Sequence, residues 1–401
     1  MSLAAERRGP DRPLALVDGS SPGQLLRLLR TGAASSRSEL VALTGASRST
    51  VSLRVEQLMQ AGYVAEGGLA GSSGGRPPRL LAFCADRGHV VGVDLGVTSV
   101  DVAVADLAGA FVGTATADIR IADGPEPVLG LVRTLITRVL VTAGLTQDTV
   151  RAIGIGLPGP VEFATGRPVH PPLMPGWHDY PVPEFFADLD CAVLVDNDVN
   201  VMAAGEVAER GSSENFLVVK IGTGIGCGIV LDGRVYRGSA GSAGDIGHVY
   251  VPDERRAVCS CGNENCLESL AGGAALARDA AELGLDVREA RDVVELASQG
   301  NPEALLLVRE AGRRVGEVLA GLVNFFNPHR IVIAGGVAHA GNPLLAGIRE
   351  VVYRRSLPLA ARTLDISLSK LGDRAGQVGA VRMAIEAHLS PAAVDAALAS
   401  G

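Results

Sequence analysis

Three cysteines and two glutamates crowd into the stretch VCSCGNENCLES, residues 258–269, of a chain that has six cysteines in 401 residues. Such a cluster could serve a disulfide, a catalytic thiol or a metal site, and each alternative predicts a different protein. Cysteines in a reducing compartment stay free unless a metal binds them, so a disulfide framework is not expected. Cys84, Cys191 and Cys227 lie in apolar segments and are expected to be inert core thiols.

A second polar group, Asp196-Asn197-Asp198, follows the apolar run AVLV and precedes a helical pattern. Asp198 stands where a helix N-cap belongs, and one interpretation is that it only satisfies the first helical N–H groups. The other is that its carboxylate lies at the carboxyl end of a buried strand, where α/β sheets bind ligands. In that position it could hydrogen-bond a polyol or accept a hydroxyl proton.

Two glycine turns are candidate phosphate cradles, because backbone N–H groups approach an anion most closely where no Cβ intervenes. In the turn GTGIGCG (222–228) every second residue is glycine, whereas the turn after Asp94 has Val97 directly behind Gly96. A β-branched residue disfavours the positive φ that glycine can adopt, and it adds bulk. A glycine-rich hairpin can equally be structural, so the turns alone do not show that a phosphate binds there.

An internal repeat predicts the scaffold that positions these groups. The segment V-D-L-G-V-T (93–98) aligns with V-K-I-G-T-G (219–224), and a strand-rich segment follows each. A repeated strand, glycine turn and strand indicates two related α/β halves that face a cleft. The helical stretches expected to cover the sheets are 126–143, 199–210, 271–298 and 302–325.

The first part of the chain has a different pattern, in which three helices are expected. These are GQLLRLLRTG (23–32), SRSELVALTG (36–45) with Ser38 as its cap, and a helix within 46–64 with Ser47 as its cap. The break at Gly45 allows a tight turn, which gives a helix-turn-helix pattern. The segment that follows is expected to form two short strands joined by a Gly/Ser tip, in other words a wing.

On the third helix Val51, Val55 and Leu58 mark the expected buried stripe. If this is a recognition helix, its exposed side meets the edges of DNA bases, and the wing reaches the backbone or the minor groove. The candidate DNA contacts are Arg48, Ser49, Thr50, Ser52 and Arg54 on the helix and Arg76 in the wing. The alternative is a three-helix packing module whose arginines are merely solvated.

Charge supports a polyanionic partner for the first part only. Residues 1–80 carry ten arginines against six acidic residues, a net charge of +4, whereas the whole chain has −8 and the remainder therefore −12. Aromatic residues make up just 3 %, which argues against a single-stranded nucleic-acid platform. The N-terminus has no apolar run of signal-peptide length, and no apolar stretch reaches a bilayer span, so a cytoplasmic protein with no membrane partner is expected.

Five segments together resemble, in order, the signatures of the ROK family of sugar kinases and transcriptional repressors, over roughly residues 88–390. They are GIGLPGPVEFATG (154–166), DNDVNVMAAGE (196–206), GTGIGCGIVLDGRVYRGSAGSAGDIGH (222–248), CSCGNENCLES (259–269) and IVIAGGVA (331–338). The additional helix-turn-helix resembles the repressor branch of the family. The resemblance implies a homodimer or homotetramer whose effector is a sugar or sugar phosphate.

The resemblance also implies an α/β fold class: an N-terminal winged helix-turn-helix followed by a duplicated actin-like ATPase (RNase H-like) fold with a structural zinc loop. The expected organisation is a flexible arm (1–20), the winged helix-turn-helix (21–85), a first lobe (86–205) and a second lobe (206–401). The second lobe is expected to carry the zinc loop, and the C-terminal helix is expected to return to the first lobe.

Particular residues match the family's site. His248, Cys259, Cys261 and Cys266 match its four zinc ligands, and because three thiolates and an imidazole leave no open position, one structural zinc per chain is expected. The residues that match its sugar contacts are Gly156, Asn197, Asp198, Asp245, His248 and Glu268. Asp245 departs from the family's usual Glu-x-Gly-His and puts the ordinary glucose assignment in doubt.

Two functions remain open at this point. The first is a sugar-responsive repressor that binds an inverted-repeat operator and lacks useful kinase activity; in this case Asp198 is a vestigial catalytic residue, and ATP and Mg²⁺ are not expected as cofactors. The alternative is a bifunctional regulator and ATP-dependent sugar kinase that uses Asp198 as its general base. Val97 favours the first, since family kinases have glycine there.

Overall fold

The computed structural model describes residues 21–69, 79–210 and 214–400. The chain divides into two compact units: one holds the residues up to 88 together with those from 386 onward, and the other spans His89–Ile385. The first unit begins with α1 (Pro22–Arg30), α2 (Arg37–Thr44), α3 (Arg48–Gln60), β1 (Val64–Leu69) and β2 (Arg79–Phe83). The expected arm (1–20) lies outside the described residues, and the expected domain boundaries stay predictions.

Local signals explain where α2 and α3 begin. Ser47 caps α3, as expected, and its Oγ accepts a hydrogen bond from the Thr50 N–H at 3.1 Å. The expected cap of α2 at Ser38 is wrong, since Ser36 Oγ accepts the bond from the Glu39 N–H and the helix begins two residues earlier. Ser36 and Glu39 have the Ser-x-x-Glu spacing that marks a helix start.

The second and third helices pack through a small apolar core. Gly45 ends α2 in the left-handed conformation, with φ 70°, which lets the chain turn sharply into α3. The predicted stripe of Val51, Val55 and Leu58 is confirmed, because all three side chains are buried. The two strands pair antiparallel, as expected. The predicted tip between them, with Arg76, lies outside the described residues.

The second unit contains both halves of the repeat. Its first half has β3 (His89–Leu95), β4 (Ser99–Asp106), β5 (Phe111–Asp118), α4 (Pro125–Thr142), β6 (Val150–Leu157), β7 (Val161–Glu162), β8 (Arg167–Pro168), α5 (Val182–Phe185), β9 (Ala192–Asn197) and α6 (Asp198–Arg210). Its second half begins with β10 (Phe216–Ile221), β11 (Ile225–Leu231), β12 (Arg234–Tyr236), α7 (Leu267–Ala271), α8 (Gly273–Glu282), α9 (Ala290–Ser298) and α10 (Pro302–Phe326). The chain continues with β13 (Arg330–Ala334), α11 (Asn342–Arg355), α12 (Pro358–Ala361), β14 (Asp365–Leu368) and α13 (Ala375–His388), and it ends in the first unit with α14 (Pro391–Ser400).

The two large sheets have the same topology, which confirms the predicted repeat. Their strand orders are β5-β4-β3-β6-β9 and β12-β11-β10-β13-β14. In each sheet an antiparallel three-stranded meander is extended by two parallel strands. Strands β3 and β10 are therefore equivalent, and the glycine turns that follow them occupy equivalent places.

Helices α6 and α13 cross each other at close range. A Cβ added at Gly379 would lie 1.7 Å from the carbonyl oxygen of Val201, so only glycine permits this approach. The expected single helical stretch at 271–298 is wrong, because the chain forms two separate helices there, α8 and α9, directly after the end of α7 at Ala271. Gly284, with φ 82°, stands in the break between α8 and α9. No helix of the described part of the chain is both long and apolar enough to cross a membrane.

The end of the chain packs in the first unit with α1. The Gly23 N–H donates a hydrogen bond to Asp395 Oδ1 of α14 at 2.8 Å, and Arg30 pairs with Glu386 at 2.6 Å. Val394 is fully buried. The first compact unit is therefore built from two distant parts of the sequence.

Candidate functional site

A cavity lies where the carboxyl ends of β3, β6, β9 and β10 lead into loops, and we call it the cleft cavity. Ligand sites of α/β proteins form at this edge of the sheet. The residues that line the cavity are Val97, 158–160, 172–173, 197–200, Lys220, 223–226, 241–245, His248, Ser260 and Glu268. It therefore brings together five of the predicted sugar contacts: Asn197, Asp198, Asp245, His248 and Glu268.

The sixth predicted contact, Gly156, has a different place. It lies in β6, and a Cβ added there would meet Val201 and the backbone of Asp198 at about 3.5 Å, behind the cavity wall. Gly156 thus lies against the first turn of α6, and it is not among the residues that line the cavity. Pro158 and Gly159 line the wall instead.

The contacts at the start of α6 distinguish between the two interpretations of Asp198. Asn197 Oδ1 accepts the hydrogen bond from the Val199 N–H at 3.0 Å, and Asn197 Nδ2 donates to the Gly159 carbonyl at 2.9 Å. Asn197 thus makes the capping contact that one interpretation gave to Asp198. The Asp198 carboxylate forms an ion pair with Lys220 instead and faces the cavity.

Lys220 and Asp94 share an electrostatic environment with Asp198. Burial raises the pKa of Asp94 to about 6, the positive charge of Lys220 opposes this rise, and the negative charge of Asp198 adds to it. Burial disfavours the ammonium of Lys220, but the two carboxylates outweigh that effect and raise its pKa. Lys220 therefore carries a positive charge inside the cleft. A charged lysine in the cleft was not predicted from the sequence.

A second ion pair at the same helix start was also missed. Arg237 Nε donates to Asp196 Oδ2 at 2.7 Å, and its guanidinium lies 3.9 Å from the centre of the Phe163 ring. Asp196 Oδ1 accepts hydrogen bonds from the Asn197 N–H at 2.8 Å and from Asn200 Nδ2 at 3.0 Å. The buried Asp196 therefore fixes the loop that presents Asp198.

Glu268 connects α7 to the second glycine turn. Its Oε2 accepts a hydrogen bond from the Ile225 N–H at 3.1 Å. A Cβ added at Gly224 would lie 2.1 Å from the same oxygen, so this close approach requires glycine at that position. The contact with Glu268 thus gives a structural reason for glycine at position 224.

The predicted zinc ligands come together in space. The ligand atoms of His248, Cys259, Cys261 and Cys266 all lie within 4.8 Å of one another, and this cluster could hold a metal ion. Cys259 Sγ lies 3.5 Å from His248 Nδ1, and Cys261 Sγ lies 3.6 Å from Cys266 Sγ. Tetrahedral zinc with bonds of about 2.0–2.3 Å needs ligand atoms roughly 3.5–4 Å apart, so the donor set suits zinc.

The loop that carries the thiols is held by an asparagine that was not predicted as important. The buried Asn265 accepts a hydrogen bond from the Ala257 N–H at 2.8 Å and donates to the Asp253 carbonyl at 2.7 Å. A hydrogen bond from the Asn263 backbone lowers the pKa of Cys261 to about 7, which favours the thiolate that a metal requires. Cys227, by contrast, is buried in the core, and burial raises its pKa to about 12.

The predicted DNA contacts on α3 lie on or near its exposed side. Arg48, Ser49 and Ser52 are exposed, and Thr50 and Arg54 are partly buried. Arg54 Nη1 donates to Gln57 Oε1 at 3.1 Å. Arg48 is thus exposed at the start of α3. The predicted wing contact Arg76 belongs to the segment outside the described residues.

Val97 lies on the wall of the cleft cavity and packs against the apolar core of the first half. It is not among the non-glycine residues of the described chain that have positive φ, so its backbone is unstrained. Val97 therefore adds bulk to the cavity wall that a glycine would not add.

Comparison with known proteins identifies the family to which this chain is similar. The ROK family profile matches residues 90–387. A xylose repressor of Caldicellulosiruptor bescii is 31 % identical over 371 residues, which cover 88 % of this chain and 92 % of the repressor. A glucokinase of Halalkalibacterium halodurans is 33 % identical over 311 residues, which cover 73 % of this chain and 94 % of the kinase.

A solved structure extends the likeness to nearly the whole chain. A ROK family transcriptional regulator, a homologue of the E. coli MLC protein, superimposes with a TM-score of 0.81 and 25 % identity over 96 % of this chain and 100 % of that chain. The chain belongs to the ROK family, and its fold is the actin-like ATPase type with mixed α and β content.

Proposed function

We propose that this protein is a sugar-responsive, DNA-binding transcriptional regulator, most simply a repressor of carbohydrate genes. The observation that carries the proposal is the unit ahead of the ROK match: three helices and a strand pair, with Arg48, Ser49 and Ser52 exposed on the third helix. A glucokinase relative leaves about a quarter of this chain unmatched, whereas the similarity to a xylose repressor covers 88 % of it.

In this proposal residues 21–85 are a winged helix-turn-helix, and residues 86–205 and 206–401 supply the two lobes of a sugar-binding domain, except that the residues from 386 onward pack in the first compact unit. The basic first part of the chain supports a polyanionic partner. A homodimer or homotetramer would place two copies of α3 on an inverted-repeat operator, with Arg76 of each wing on the backbone or the minor groove.

The charges of the cleft cavity support a neutral sugar as the effector, in preference to a sugar phosphate. Acidic side chains outnumber lysines and arginines in its lining: Asp198, Asp245 and Glu268 against Lys220. The single ammonium is already paired with Asp198. A phosphate group would thus meet uncompensated carboxylates, whereas sugar hydroxyls can donate hydrogen bonds to them.

The zinc proposed for the four-residue cluster has a structural role in this scheme. Metal binding to His248 and Cys266 would fix the positions of two cavity-lining side chains, since His248 lines the cavity itself and Glu268 follows Cys266 by two residues. A closed shell of three thiolates and an imidazole leaves no site for a reacting water.

A second function, ATP-dependent sugar phosphorylation with Asp198 as general base, is supported by the glucokinase relatives and by the position of Asp198 in the cavity. The ion pair with Lys220 and the bulk of Val97 favour the non-enzymatic function. In the regulator, Asp198 serves as a hydrogen-bond acceptor for the effector.

The test combines ligand binding with operator binding. Neutral pentoses, hexoses and their phosphates are screened by thermal shift, because a ligand at 100 times its dissociation constant adds about 2.7 kcal/mol of stability. The ligand found is then added to a complex with genomic operator DNA. We expect Asp198→Asn to lose the ligand response and keep operator binding, whereas Asp286→Asn, at an exposed position, keeps both. Failure to bind any genomic DNA site would refute the regulator.

A further inference from the structure

Lysine is rare in this chain, and one of its two lysines lies in the cleft. The sequence contains 34 arginines but only Lys220 and Lys370. Lys370 is exposed, whereas Lys220 lines the cleft cavity. Arginine presents a planar fork of donors, while the ammonium of lysine is a compact point charge. The cleft therefore contains a lysine ammonium group, although nearly all other basic side chains of this protein are arginines.

The repeat gives Lys220 a partner of opposite charge. Asp94 is the next-to-last residue of β3, and Lys220 is the next-to-last residue of the equivalent strand β10. A glycine turn follows each of them. The two halves of the duplicated domain thus present an anion and a cation at matching positions.

The side chain of Lys220 reaches from the second half to the first. Its Nζ pairs with Asp198 Oδ2, and the two side chains are only 24 % and 10 % exposed. Its Cε lies 3.5 Å from the point where a Cβ on Gly222 would stand, so the side chain lies along the second glycine turn. The Asp94 carboxylate packs on the first turn of α13, where a Cβ at Gly376 would lie 1.8 Å from Oδ2.

Carboxylates near a glycine turn are ligands that magnesium uses together with phosphate oxygens. Here the charge that would attract the metal is already balanced by an ammonium group. We propose that Lys220 is a resident cation that takes the place of a divalent metal beside the Asp198 carboxylate, and that it keeps metal–phosphate ligands out of the cleft. The proposal does not depend on whether the protein binds DNA.

Binding of Mn²⁺, measured by electron paramagnetic resonance on zinc-loaded protein, tests the proposal. Lys220→Met removes the charge at similar length, Lys220→Arg keeps it, and Lys370→Met is the matched control at an exposed site. We expect Lys220→Met to bind one Mn²⁺ per chain on the order of tenfold more tightly than the wild type or better. The other two variants are expected to behave as the wild type.

Asp198→Asn added to Lys220→Met should abolish the gained binding. A folded Lys220→Met protein without gain, or a gain that survives Asp198→Asn, would overturn the proposal. If Lys220→Met does not fold, the double variant Lys220→Met/Asp198→Asn shows why. Folding is restored if the unpaired Asp198 carboxylate caused the failure, and it is not restored if the loss of packing by the lysine side chain caused it.

The wild-type protein offers an independent measurement, since ¹⁵N-labelled lysine gives two Nζ signals. The hydrogen-bonded, half-buried ammonium of Lys220 should exchange its protons with water more slowly than that of Lys370. Equal, fast exchange at both sites would show that Lys220 is not fixed in the cleft and would contradict the proposal.

Discussion

The carboxylate of Glu268 accepts a hydrogen bond from the backbone N–H of Ile225 at 3.1 Å, and so joins the helix behind the cysteine cluster to the second glycine turn. Cys266 is the residue just before that helix, α7, and Glu268 is its second residue. Ordering of the cluster therefore also positions Glu268 on the cavity wall. Metal content and effector response should change together.

The first prediction follows from this connection. We expect Cys261→Ser to lose the metal and the response to sugar, because three remaining ligands no longer close the shell around zinc. Operator binding should persist, since residues 21–88 belong to the other compact unit. Elemental analysis of the purified protein and a thermal-shift titration with sugar measure the two losses.

Cys191→Ser is the matched control for that experiment. Cys191 is a half-buried thiol outside the cluster, and burial raises its pKa to about 11. Its replacement should leave zinc at one equivalent per chain. A wild-type protein with far less than one equivalent of zinc per chain, or a full sugar response from Cys261→Ser, would contradict the prediction.

The second prediction concerns pH and Asp94. The pKa of Asp94 rises from 3.8 to about 6 on folding, chiefly through burial, so the folded protein holds a proton that the unfolded chain has lost between these pH values. The contribution of Asp94 to the free energy of unfolding therefore falls as the pH rises from about 4 to about 6, by up to about 3 kcal/mol, and levels off above.

Asp94→Asn removes that dependence. Above pH 6 we expect the variant to be more stable than the wild type by up to about 3 kcal/mol, because the amide stands for the protonated carboxyl and the attraction of Lys220 is already contained in the pKa of Asp94. Below pH 4 the difference should vanish. Fluorescence of the only tryptophan, Trp177, reports urea unfolding of this unit, since its indole is buried in the core of the first half. A difference that is constant across pH would contradict the assignment.

Much of the scaffold could be predicted because its signals are local. The buried stripe of α3, its Ser47 cap and the repeat of V-D-L-G with V-K-I-G depend on period, capping chemistry and sequence register. The cap of α2 could have been found too, since Ser36 and Glu39 have the spacing of a capping box.

The interactions that define the cleft could not be predicted in the same way. Lys220 pairs with Asp198, 22 residues away, and Arg237 pairs with Asp196, 41 residues away, only because the ends of two separate sheets meet. No period or cap in the sequence specifies such a pairing. The scarcity of lysine was the one signal that could have drawn attention to Lys220.

The third prediction tests the closure of the first unit by the end of the chain. A Cβ at Gly23 would lie 2.3 Å from the Pro391 carbonyl oxygen, so Gly23→Ala forces α14 away from α1. We expect a loss of about 1–3 kcal/mol and faster amide exchange in α1, as measured by hydrogen–deuterium exchange. Gly130→Ala is the control: its Cβ meets nothing within 4 Å in helix α4, and the change should stabilise by about 0.5–1 kcal/mol.

The fourth prediction addresses DNA recognition by α3. Arg48 is exposed at the first position of the helix. If it contacts a base edge, Arg48→Ala should cost about 1–3 kcal/mol on the operator and much less on random DNA. Fluorescence anisotropy at fixed salt measures both, and the exposed Arg362, changed to Ala, is the control in the other unit. Equal losses on the two sequences would make Arg48 a phosphate contact instead.

The last prediction is that the protein does not phosphorylate sugars at a useful rate. Phosphoryl transfer depends on positioning and charge stabilisation, so the turn after β3 and the metal must both be correct. Val97 lines the cavity at the first glycine turn, and Lys220 pairs with the carboxylate that would accept the hydroxyl proton. Each feature alone should be sufficient to stop the reaction, so Val97→Gly is expected to stay inactive while Lys220 is present.

An assay of ADP release with common pentoses, hexoses and N-acetylated sugars checks the wild type and Val97→Gly. Turnover near the 1–100 per second that is typical of kinases, on any of these sugars, would replace the regulator-only proposal by the bifunctional one.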